Sequence, residues 1–313
     1  MPGRDLPLPS VLVLDSAAVS TTGPRPDNQD SACAAPRLIA IADGVGGNVG
    51  GAVASSLVVN WLAPLGAGQP VAGPPGARPQ DSPRVPPPGT GPSDLVRVVA
   101  GANDRIRAAY TERPRLRSMA TTMTAVYADG DGLLLAHIGD SRGYQLRDGV
   151  LVQLSTDHTL VQAMIDAGDL TVEEARVHPQ RSAVYAALHG GDDDLAGLDL
   201  LRLDARPGDR LMVCSDGLSD VVRPDRIGQL LAGAATPAEA AAALRDAALA
   251  GPPTDNITVV VADVREADPA EPGAGGRKPA TVGAAVDFRE ETAEALEALW
   301  PGRVSVAQPR RRG

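Results

Sequence analysis

Short aspartate-bearing motifs at the ends of apolar runs constrain the fold of this chain more than any other feature. Four of them lie far apart in the sequence: Arg25-Pro-Asp-Asn-Gln-Asp30, Asp43-Gly-Val-Gly-Gly47, Ser215-Asp-Gly217 and Asp255-Asn-Ile-Thr258. Apolar runs that are short and rich in β-branched residues predict buried strands. A carboxylate at the tip of a buried strand has no core to pack into, so several tips can converge on one edge of a sheet. There they would form an oxygen-only site for hard divalent cations.

The apolar runs lie directly beside the aspartates. One run ends just before Asp43, one ends just before Asp216, and a third begins just after Asn256; they are Leu38–Ala42, Arg210–Ser215 and Ile257–Ala262. Along the rest of the chain, predicted strands cluster together and predicted helices cluster together, without a regular βαβ alternation. This order favours antiparallel sheets with helices on the outside.

The order and the residues of the motifs resemble those of the metal-dependent protein phosphatase family (type 2C, the PPM family) and its bacterial serine/threonine phosphatases. A further match, Gly139-Asp-Ser-Arg-Gly143, follows the predicted strand Leu133–Ile138. One Asp-Gly pair alone is weak because it is common in turns, whereas five motifs in the family's order are specific. The resemblance covers about residues 11–265. It implies an α+β fold, a four-layer α-β-β-α sandwich of two antiparallel sheets flanked by helices.

Changes in composition divide the chain. Residues 1–10 are predicted to be an N-terminal tail and residues 11–265 the type 2C phosphatase catalytic domain. Within that domain, residues 64–92 are dense in proline and glycine, which predicts a disordered surface insertion. Residues 266–313 are predicted to be a C-terminal linker and tail, with a short amphipathic helix over 286–299.

Charge and composition argue against several other functions. The net charge is −10, which disfavours general nucleic-acid binding because that requires a basic face. The hydrophobic fraction is 43% but aromatic residues make up only 2%, so the core must consist of Ala, Val, Leu and Ile. No apolar run approaches the roughly 18–20 residues of a membrane span, and the N-terminus lacks the pattern of a signal peptide. A cytoplasmic protein without membrane or nucleic-acid partners is expected.

Other phosphatase and nucleotidase chemistries lack their signatures here. A cysteine-based phosphatase needs an arginine six positions after its cysteine, and neither Cys33 nor Cys214 has one. Histidine-rich metallophosphatase signatures are absent. A P-loop needs Gly-Lys-Ser/Thr, and Lys278 is followed by proline. The two cysteines do not imply a disulfide framework.

The resemblance implies roles for the acidic residues. Asp43 would bridge two metal ions, and Gly44 would offer its backbone carbonyl to one of them. Asp216 and Asp255 would complete the shell of one ion, with several further ligands being waters. Asp30 matches another acidic position of the first motif, with a water-mediated or outer contact. Oxygen ligands suit Mg²⁺ or Mn²⁺ rather than zinc, so two such ions are the expected cofactors.

Three further positions bear on the chemistry. Arg25 matches the family's phosphate-binding arginine, whose planar guanidinium can grip two phosphate oxygens; the alternative is a surface salt bridge. Asp140 matches a position that, with the Asp216 equivalent, forms a weaker third metal site in many relatives; its alternative is a structural role. Val45 departs from relatives that carry a histidine, proposed as a general acid, because valine cannot transfer a proton.

The segment from about 156 to 191 matches a flap-like insertion beside the active site of bacterial relatives. Its Arg176, His178 and Arg181 would contact substrate or, alternatively, belong to a solvated loop. The four histidines of the chain are not spaced like a zinc site, so structural roles are expected for them.

The implied activity is hydrolysis of phosphoserine and phosphothreonine in proteins by a metal-activated water. The expected partners are phosphorylated proteins, among them a bacterial serine/threonine kinase and its substrates, and a monomer is expected. The alternative is a catalytically weak or inactive relative that serves as a binding or regulatory module. Loss of the metal-binding aspartates would mark such a relative, and all of them are present in this chain.

Overall fold

The computed structural model describes residues 11–45, 49–69, 92–267 and 278–287. The strands are β1 Leu12–Thr21, β2 Ser31–Ala35, β3 Leu38–Ala42, β4 Gly44–Val45, β5 Ala120–Thr121, β6 Met123–Ala128, β7 Leu133–Ile138, β8 Arg142–Arg147, β9 Val150–Gln153, β10 Asp199–Leu203, β11 Arg210–Cys214, β12 Ile257–Glu266 and β13 Ala280–Gly283. The helices are α1 Val49–Gly66, α2 Pro92–Glu112, α3 Leu160–Ala167, α4 Val172–Arg176, α5 Asp216–Ser219, α6 Pro224–Gly233, α7 Pro237–Ala250 and α8 Ala284–Asp287. None of these helices combines the length and the apolar character that crossing a bilayer requires.

Two antiparallel sheets form the centre of the molecule. The five-stranded sheet has the order β1-β12-β11-β8-β9, and the six-stranded sheet has the order β10-β7-β6-β3-β2-β13. All neighbouring strands in both sheets run antiparallel. Strands β4 and β5 make a separate short ladder just after β3.

Apolar side chains fill the three spaces between four layers. Ile41 of one sheet and Val213 of the other belong to the cluster between the sheets. Leu62 of α1 belongs to the cluster that covers the outer face of the six-stranded sheet, together with residues of α2. Leu244 of α7 belongs to the cluster on the outer face of the five-stranded sheet, together with residues of α6. These layers confirm the predicted α-β-β-α sandwich.

Strand β3 shows why a continuous apolar run is needed at the centre. Alternate residues of a strand face opposite sides of the sheet. Ile39 and Ile41 pack between the sheets, whereas Leu38 and Ala40 pack beneath the outer helices. Because both faces are covered, every residue of β3 is buried and no polar alternation appears. Asp43 therefore directly follows a strand that lies in the centre of the core.

The predicted insertion at 64–92 begins later than expected. Helix α1 continues to Gly66, and Leu65 is buried against the core. An apolar side chain with a place in the core thus keeps the first residues of this Pro/Gly-rich stretch helical. Residues 70–91 of the insertion, like the predicted tail at 1–10, lie outside the described residues.

Residues 280–287 differ from the predicted linker and tail. Strand β13 pairs with the edge of β2, and α8 packs against α1. The sequence showed no sign of this because a strand of four residues rich in Ala and Gly carries no pattern; its stability comes from pairing with β2. The predicted helix at 286–299 overlaps only the end of α8, and the remainder lies outside the described residues.

Candidate active site

The aspartate motifs converge at one end of the sandwich. Asp43 follows β3 of the six-stranded sheet, while Asp216 follows β11 and Asp255 precedes β12 in the facing sheet. A pocket of about 370 Å³ lies between them and is lined, among others, by Arg25, Asp43, Gly44, Asp140, Asp216 and Asp255. The structure therefore brings together all the predicted site residues except Asp30, which lies beside this lining.

The backbone of Asp43 is held by the neighbouring strand β5 and the residue after it. Its N–H donates to Thr122 Oγ1 (3.0 Å), and its carbonyl accepts from the Thr122 N–H (2.9 Å) and the Thr121 hydroxyl (2.8 Å). The next residue has to be glycine, because a Cβ on Gly44 would lie 2.3 Å from the carbonyl of Gly51. The peptide of Asp43 is thus positioned without using its carboxylate.

Asp30 is fully buried next to the pocket. Its Oδ2 accepts a hydrogen bond from Ser215 Oγ (2.8 Å), and its N–H donates to Asn28 Oδ1 (3.1 Å). Its backbone carbonyl accepts from the N–H of Ala284 (2.7 Å). Ser215 therefore joins the first motif to the third, a contact that sequence analysis did not predict.

The carboxylates of the site are buried close together and repel one another. Burial raises the pKa of Asp43 well above its usual range, and repulsion from Asp30 and then Asp216 raises it further. Burial raises the pKa of Asp30 to about 6, although hydrogen bonds from Thr258 and Ser215 oppose the shift. Burial, followed by the charge of neighbouring aspartates, also raises the pKa of Asp140 to about 7. Such a cluster is stabilised by cations.

The donor set fits oxygen-preferring metal ions. Among the described residues, Asp30 Oδ1 and Asp216 Oδ1 are buried atoms without a hydrogen-bond partner, and buried polar atoms normally have one. No three His, Cys, Asp or Glu side chains in the described part of the chain are gathered tightly enough to enclose one ion. A Mg²⁺ site does not require three such side chains, because Mg²⁺ usually keeps several waters and takes only one or two carboxylates.

Arg25 lies at the edge of the pocket and pairs with a predicted metal ligand. Its Nη2 donates to Asp255 Oδ2 (2.6 Å), and its Nε donates to the carbonyl of Thr254 (2.9 Å). The side chain remains 53% exposed, so the guanidinium is oriented by these bonds while still accessible from the pocket. The salt bridge that was the alternative for Arg25 is therefore present, and the residue lines the pocket, while its phosphate-binding role stays a prediction.

Asn256 connects the last strand to the first motif. Its Oδ1 accepts from the Gln29 N–H (2.8 Å), and its Nδ2 donates to the carbonyls of Thr22 (2.8 Å) and Asp27 (2.9 Å). These bonds use both ends of the amide on the backbone that precedes Asp30. This is the contact pattern of a residue that orients the first motif.

Asp220 is an acidic residue of the site that the sequence analysis missed. Burial, followed by repulsion from Asp140 and Asp220, raises the pKa of Asp216 well above its usual range. Asp220 lines a second pocket of about 280 Å³ that shares Asp140, Ser182 and Asp216 with the first. Its spacing could have identified it from the sequence, because a residue four positions after Asp216 lies about one helical turn further on.

The flap-like segment borders the second pocket. Thr159 caps α3 and pairs with Val184 across the segment. Arg176 and Arg181 line the pocket, and Arg181 Nε lies 3.7 Å from Asp220 Oδ2. His178 lines neither of the two pockets. The two arginines therefore face the site, while their contact with substrate stays a prediction.

The buried histidines brace the loop that carries Asp140. His137 lies between Thr124 Oγ1 (2.9 Å) and the Thr156 carbonyl (3.0 Å), and burial lowers its pKa to about 4. His158 Nδ1 accepts from the N–H of Gly139 (3.1 Å), the residue before Asp140. These contacts are structural, as expected.

Val45 forms part of the wall of the first pocket. Its side chain is 40% exposed, and Val184 of the flap-like segment lines the same pocket. Neither side chain can transfer a proton, so this part of the pocket wall is apolar and supplies no general acid.

Comparison with known proteins places this arrangement in a family. The family model described as protein phosphatase 2C matches residues 26–250. The serine/threonine protein phosphatase PstP of Mycobacterium tuberculosis is 43% identical over 82% of this chain and 46% of its own length. The chain thus spans about half the length of this curated relative.

Solved structures agree with the sequence comparison. The crystal structure of the M. tuberculosis phosphatase PstP/Ppp is 43% identical and superposes with a TM-score of 0.70 over 80% of this chain and 98% of that one. The catalytic domain of PstP in complex with two manganese ions is 41% identical, with a TM-score of 0.70 over 82% of this chain and 100% of that one. The residues that the family model matches include the second and third aspartate motifs and all of the first motif except Arg25, whereas the fourth motif, Asp255–Thr258, lies beyond them. This chain belongs to the protein phosphatase 2C family.

Proposed function

We propose that this chain is a metal-dependent protein phosphatase that hydrolyses phosphoserine and phosphothreonine in proteins. The observation that carries the proposal is the convergence of aspartates from two facing sheets on one pocket with Arg25 at its edge. The proposal is supported by the name of PstP, a serine/threonine protein phosphatase that is 43% identical to this chain. Fold alone would be a weaker basis, because function depends on the residues of a site.

The proposed metal ligands are the oxygens that the pocket assembles. The PstP catalytic domain with two manganese ions supports two ions here, either Mg²⁺ or Mn²⁺. Ions of this kind activate an attacking water and neutralise charge on the phosphoryl oxygens. In this proposal Asp43 bridges the two ions and the backbone carbonyl of Gly44 binds one of them. Asp216 and Asp255 supply two further carboxylates, and Asp30 makes an outer contact. Asp140, together with Asp216, forms a weaker third site.

The protein's own groups would bind and orient the substrate. Arg25 would hold two phosphate oxygens, since Asp255 and the Thr254 carbonyl already fix the plane of its guanidinium. A planar fork of this kind matches phosphate geometry. Val45 has no proton to give to the leaving oxygen, so in this proposal that proton comes from water.

The proposed setting is signalling. Phosphorylated proteins, including a serine/threonine kinase and its substrates, are the proposed partners, and a cytoplasmic monomer is the proposed state. The proposed catalytic domain covers residues 11–265, and we include residues 280–287 in it because β13 pairs with β2 and α8 packs against α1. The rival function is that of a non-enzymatic binding module. The enzyme is favoured because Asp43, Asp140, Asp216 and Asp255 all line the pocket and Asp30 lies beside it.

Metal-dependent hydrolysis of a small aryl phosphate tests the proposal. Activity should appear with millimolar Mg²⁺ or Mn²⁺, vanish in excess chelator and return when Mn²⁺ is restored, because the clustered carboxylates need a cation to bind phosphate. Initial rates of p-nitrophenol release measure this. Full activity in chelator, with no metal bound by elemental analysis, would contradict the two-metal proposal. No activity with either metal would favour the binding module.

Replacing Arg25 with alanine should weaken phosphate binding more than turnover. A hydrogen bond to a charged group contributes about 1.5–3 kcal/mol, so kcat/KM should fall about ten- to hundredfold, mostly through a higher KM. Arg25→Lys should recover only part of the loss, because an ammonium lacks the planar fork. Arg206→Ala is the matched control, since Arg206 is similarly exposed (57%) and also pairs with an aspartate, Asp148. An unchanged KM for Arg25→Ala would exclude the phosphate-binding role.

A further inference from the structure

The last of the described residues form a segment that packs against the backbone of Asp30, beside the candidate active site. We call residues 280–287, which form β13 and α8, the C-terminal strap. It lies beyond the residues 26–250 that the family model matches. Strand β13 pairs with β2, so that Val282 lies opposite Ala32 and Gly283 lies opposite Ser31. The strap thus extends the sheet at the point where β2 begins, directly after Asp30.

Two residues of the strap contact the peptide of Asp30. The N–H of Ala284 donates to the Asp30 carbonyl at 2.7 Å. Gly283 has φ +71°, and a Cβ there would lie 2.1 Å from the Asp30 carbonyl oxygen and 3.1 Å from Ser20 Oγ. A left-handed conformation favours glycine, and the close approach leaves no space for a side chain. Gly283 is therefore suited to this contact on two independent grounds.

The far end of the strap is anchored to helix α1. Ala284 and Ala285 are buried, with 2% and 0% exposure. Asn60 Nδ2 donates to the carbonyl of Ala285 (3.2 Å). An edge strand alone would be weakly held, but here the chain is fixed on both sides of Gly283. The Asp30 peptide therefore lies between the strap and the core.

The position of the Asp30 peptide determines where its carboxylate lies. Ser215 Oγ holds Oδ2, while Oδ1 is buried and has no hydrogen-bond partner among the described residues. The next residue, Ser31, is held by Ser55 through their hydroxyls (2.9 Å). A shift at the Asp30 carbonyl would therefore move a carboxylate that borders Asp43.

We propose that the C-terminal strap is a positioning element for the metal site, with Gly283 and Ala284 as positioning residues that act through Asp30. A docked strap holds Asp30 in place and strengthens metal binding; metal binding in turn stabilises the docked strap, because such coupling is reciprocal. The inference rests on the proposed metal-dependent function.

Gly283→Ala in the full chain tests the strap, with Gly168→Ala as the matched control. Gly168 has a similar φ of +81°, but an added Cβ there meets nothing within 4 Å. Both variants strain a left-handed residue, and only Gly283→Ala displaces the strap from Asp30. Mn²⁺ affinity by titration calorimetry should fall about tenfold in Gly283→Ala, as for other residues that orient metal ligands, and stay unchanged in Gly168→Ala. The rate of aryl phosphate hydrolysis by Gly283→Ala at saturating Mn²⁺ should stay close to that of the wild type.

Hydrogen–deuterium exchange of the wild-type chain provides a measurement that needs no variant. Adding Mn²⁺ should slow amide exchange in the peptide covering 280–285. Wild-type Mn²⁺ binding that leaves exchange in the strap unchanged would overturn the inference, as would unchanged Mn²⁺ affinity in a folded Gly283→Ala. A wild-type chain that binds no Mn²⁺ contradicts instead the proposed function on which the strap depends.

Discussion

Asp43→Asn is expected to lower the turnover of aryl phosphate by about three orders of magnitude or more, the scale seen when one member of a catalytic unit is removed. The amide keeps the shape of the side chain but removes the negative charge that would bridge two cations. The backbone contacts with Thr121 and Thr122 do not involve the carboxylate, so the fold should be retained.

The same substitution should raise the thermal stability of the metal-free protein. Burial and repulsion raise the pKa of Asp43 in the folded chain, so at neutral pH its ionised form opposes folding. Asparagine removes that charge. A higher melting temperature in chelator, together with lost turnover, would separate loss of function from misfolding.

Steady-state kinetics at saturating Mn²⁺ and differential scanning calorimetry measure the two effects. Asp104→Asn is the control, since Asp104 is an exposed aspartate of α2. Asp216→Asn should resemble Asp43→Asn, and the double variant should be scarcely worse than either, because residues that act as one unit are not additive. Wild-type kcat in Asp43→Asn at saturating metal would show that Asp43 is not the bridge.

Arg142→Ala is expected to have the largest effect on stability. Arg142 makes a bidentate pair with Asp157, with three hydrogen bonds of 2.6, 2.9 and 3.0 Å. The side chains are only 22% and 9% exposed, so truncation leaves a buried carboxylate without its partner. Breaking a buried pair costs about 3–5 kcal/mol, which corresponds to a drop in melting temperature of about 10 °C for a domain of this size.

Thermal unfolding in chelator measures this loss without contributions from bound metal. The exposed pair between Arg223 and Asp225, at 76% and 65% exposure, provides the control: Arg223→Ala should cost less than about 1 kcal/mol. Combining Arg142→Met with Asp157→Leu should recover much of the stability, because an apolar pair of similar volume avoids the buried charge. A melting temperature for Arg142→Ala equal to that of the control would show that the pair is not buried in solution.

Local patterns in the sequence were sufficient to predict the main elements and the convergence of most candidate site residues. The apolar run at Leu38–Ala42 predicted a buried strand, and that strand is buried on both faces. The aspartates after such runs were predicted to meet, and six predicted site residues line one pocket. These predictions succeeded because strand burial and the positions of strand ends follow from consecutive residues, and because the order of the motifs is specific to the family.

Contacts between distant segments became visible only in the folded chain. Ser215 bonds to Asp30, Arg142 pairs with Asp157, and Asp220 joins the acidic cluster, and none of these three contacts was predicted from the sequence. Runs of consecutive residues set which side chains end the buried strands and what chemistry those side chains carry. Only the folded chain decided that Ala284 would hold the carbonyl of Asp30, because a short edge strand is stabilised by the strand it joins rather than by its own residues.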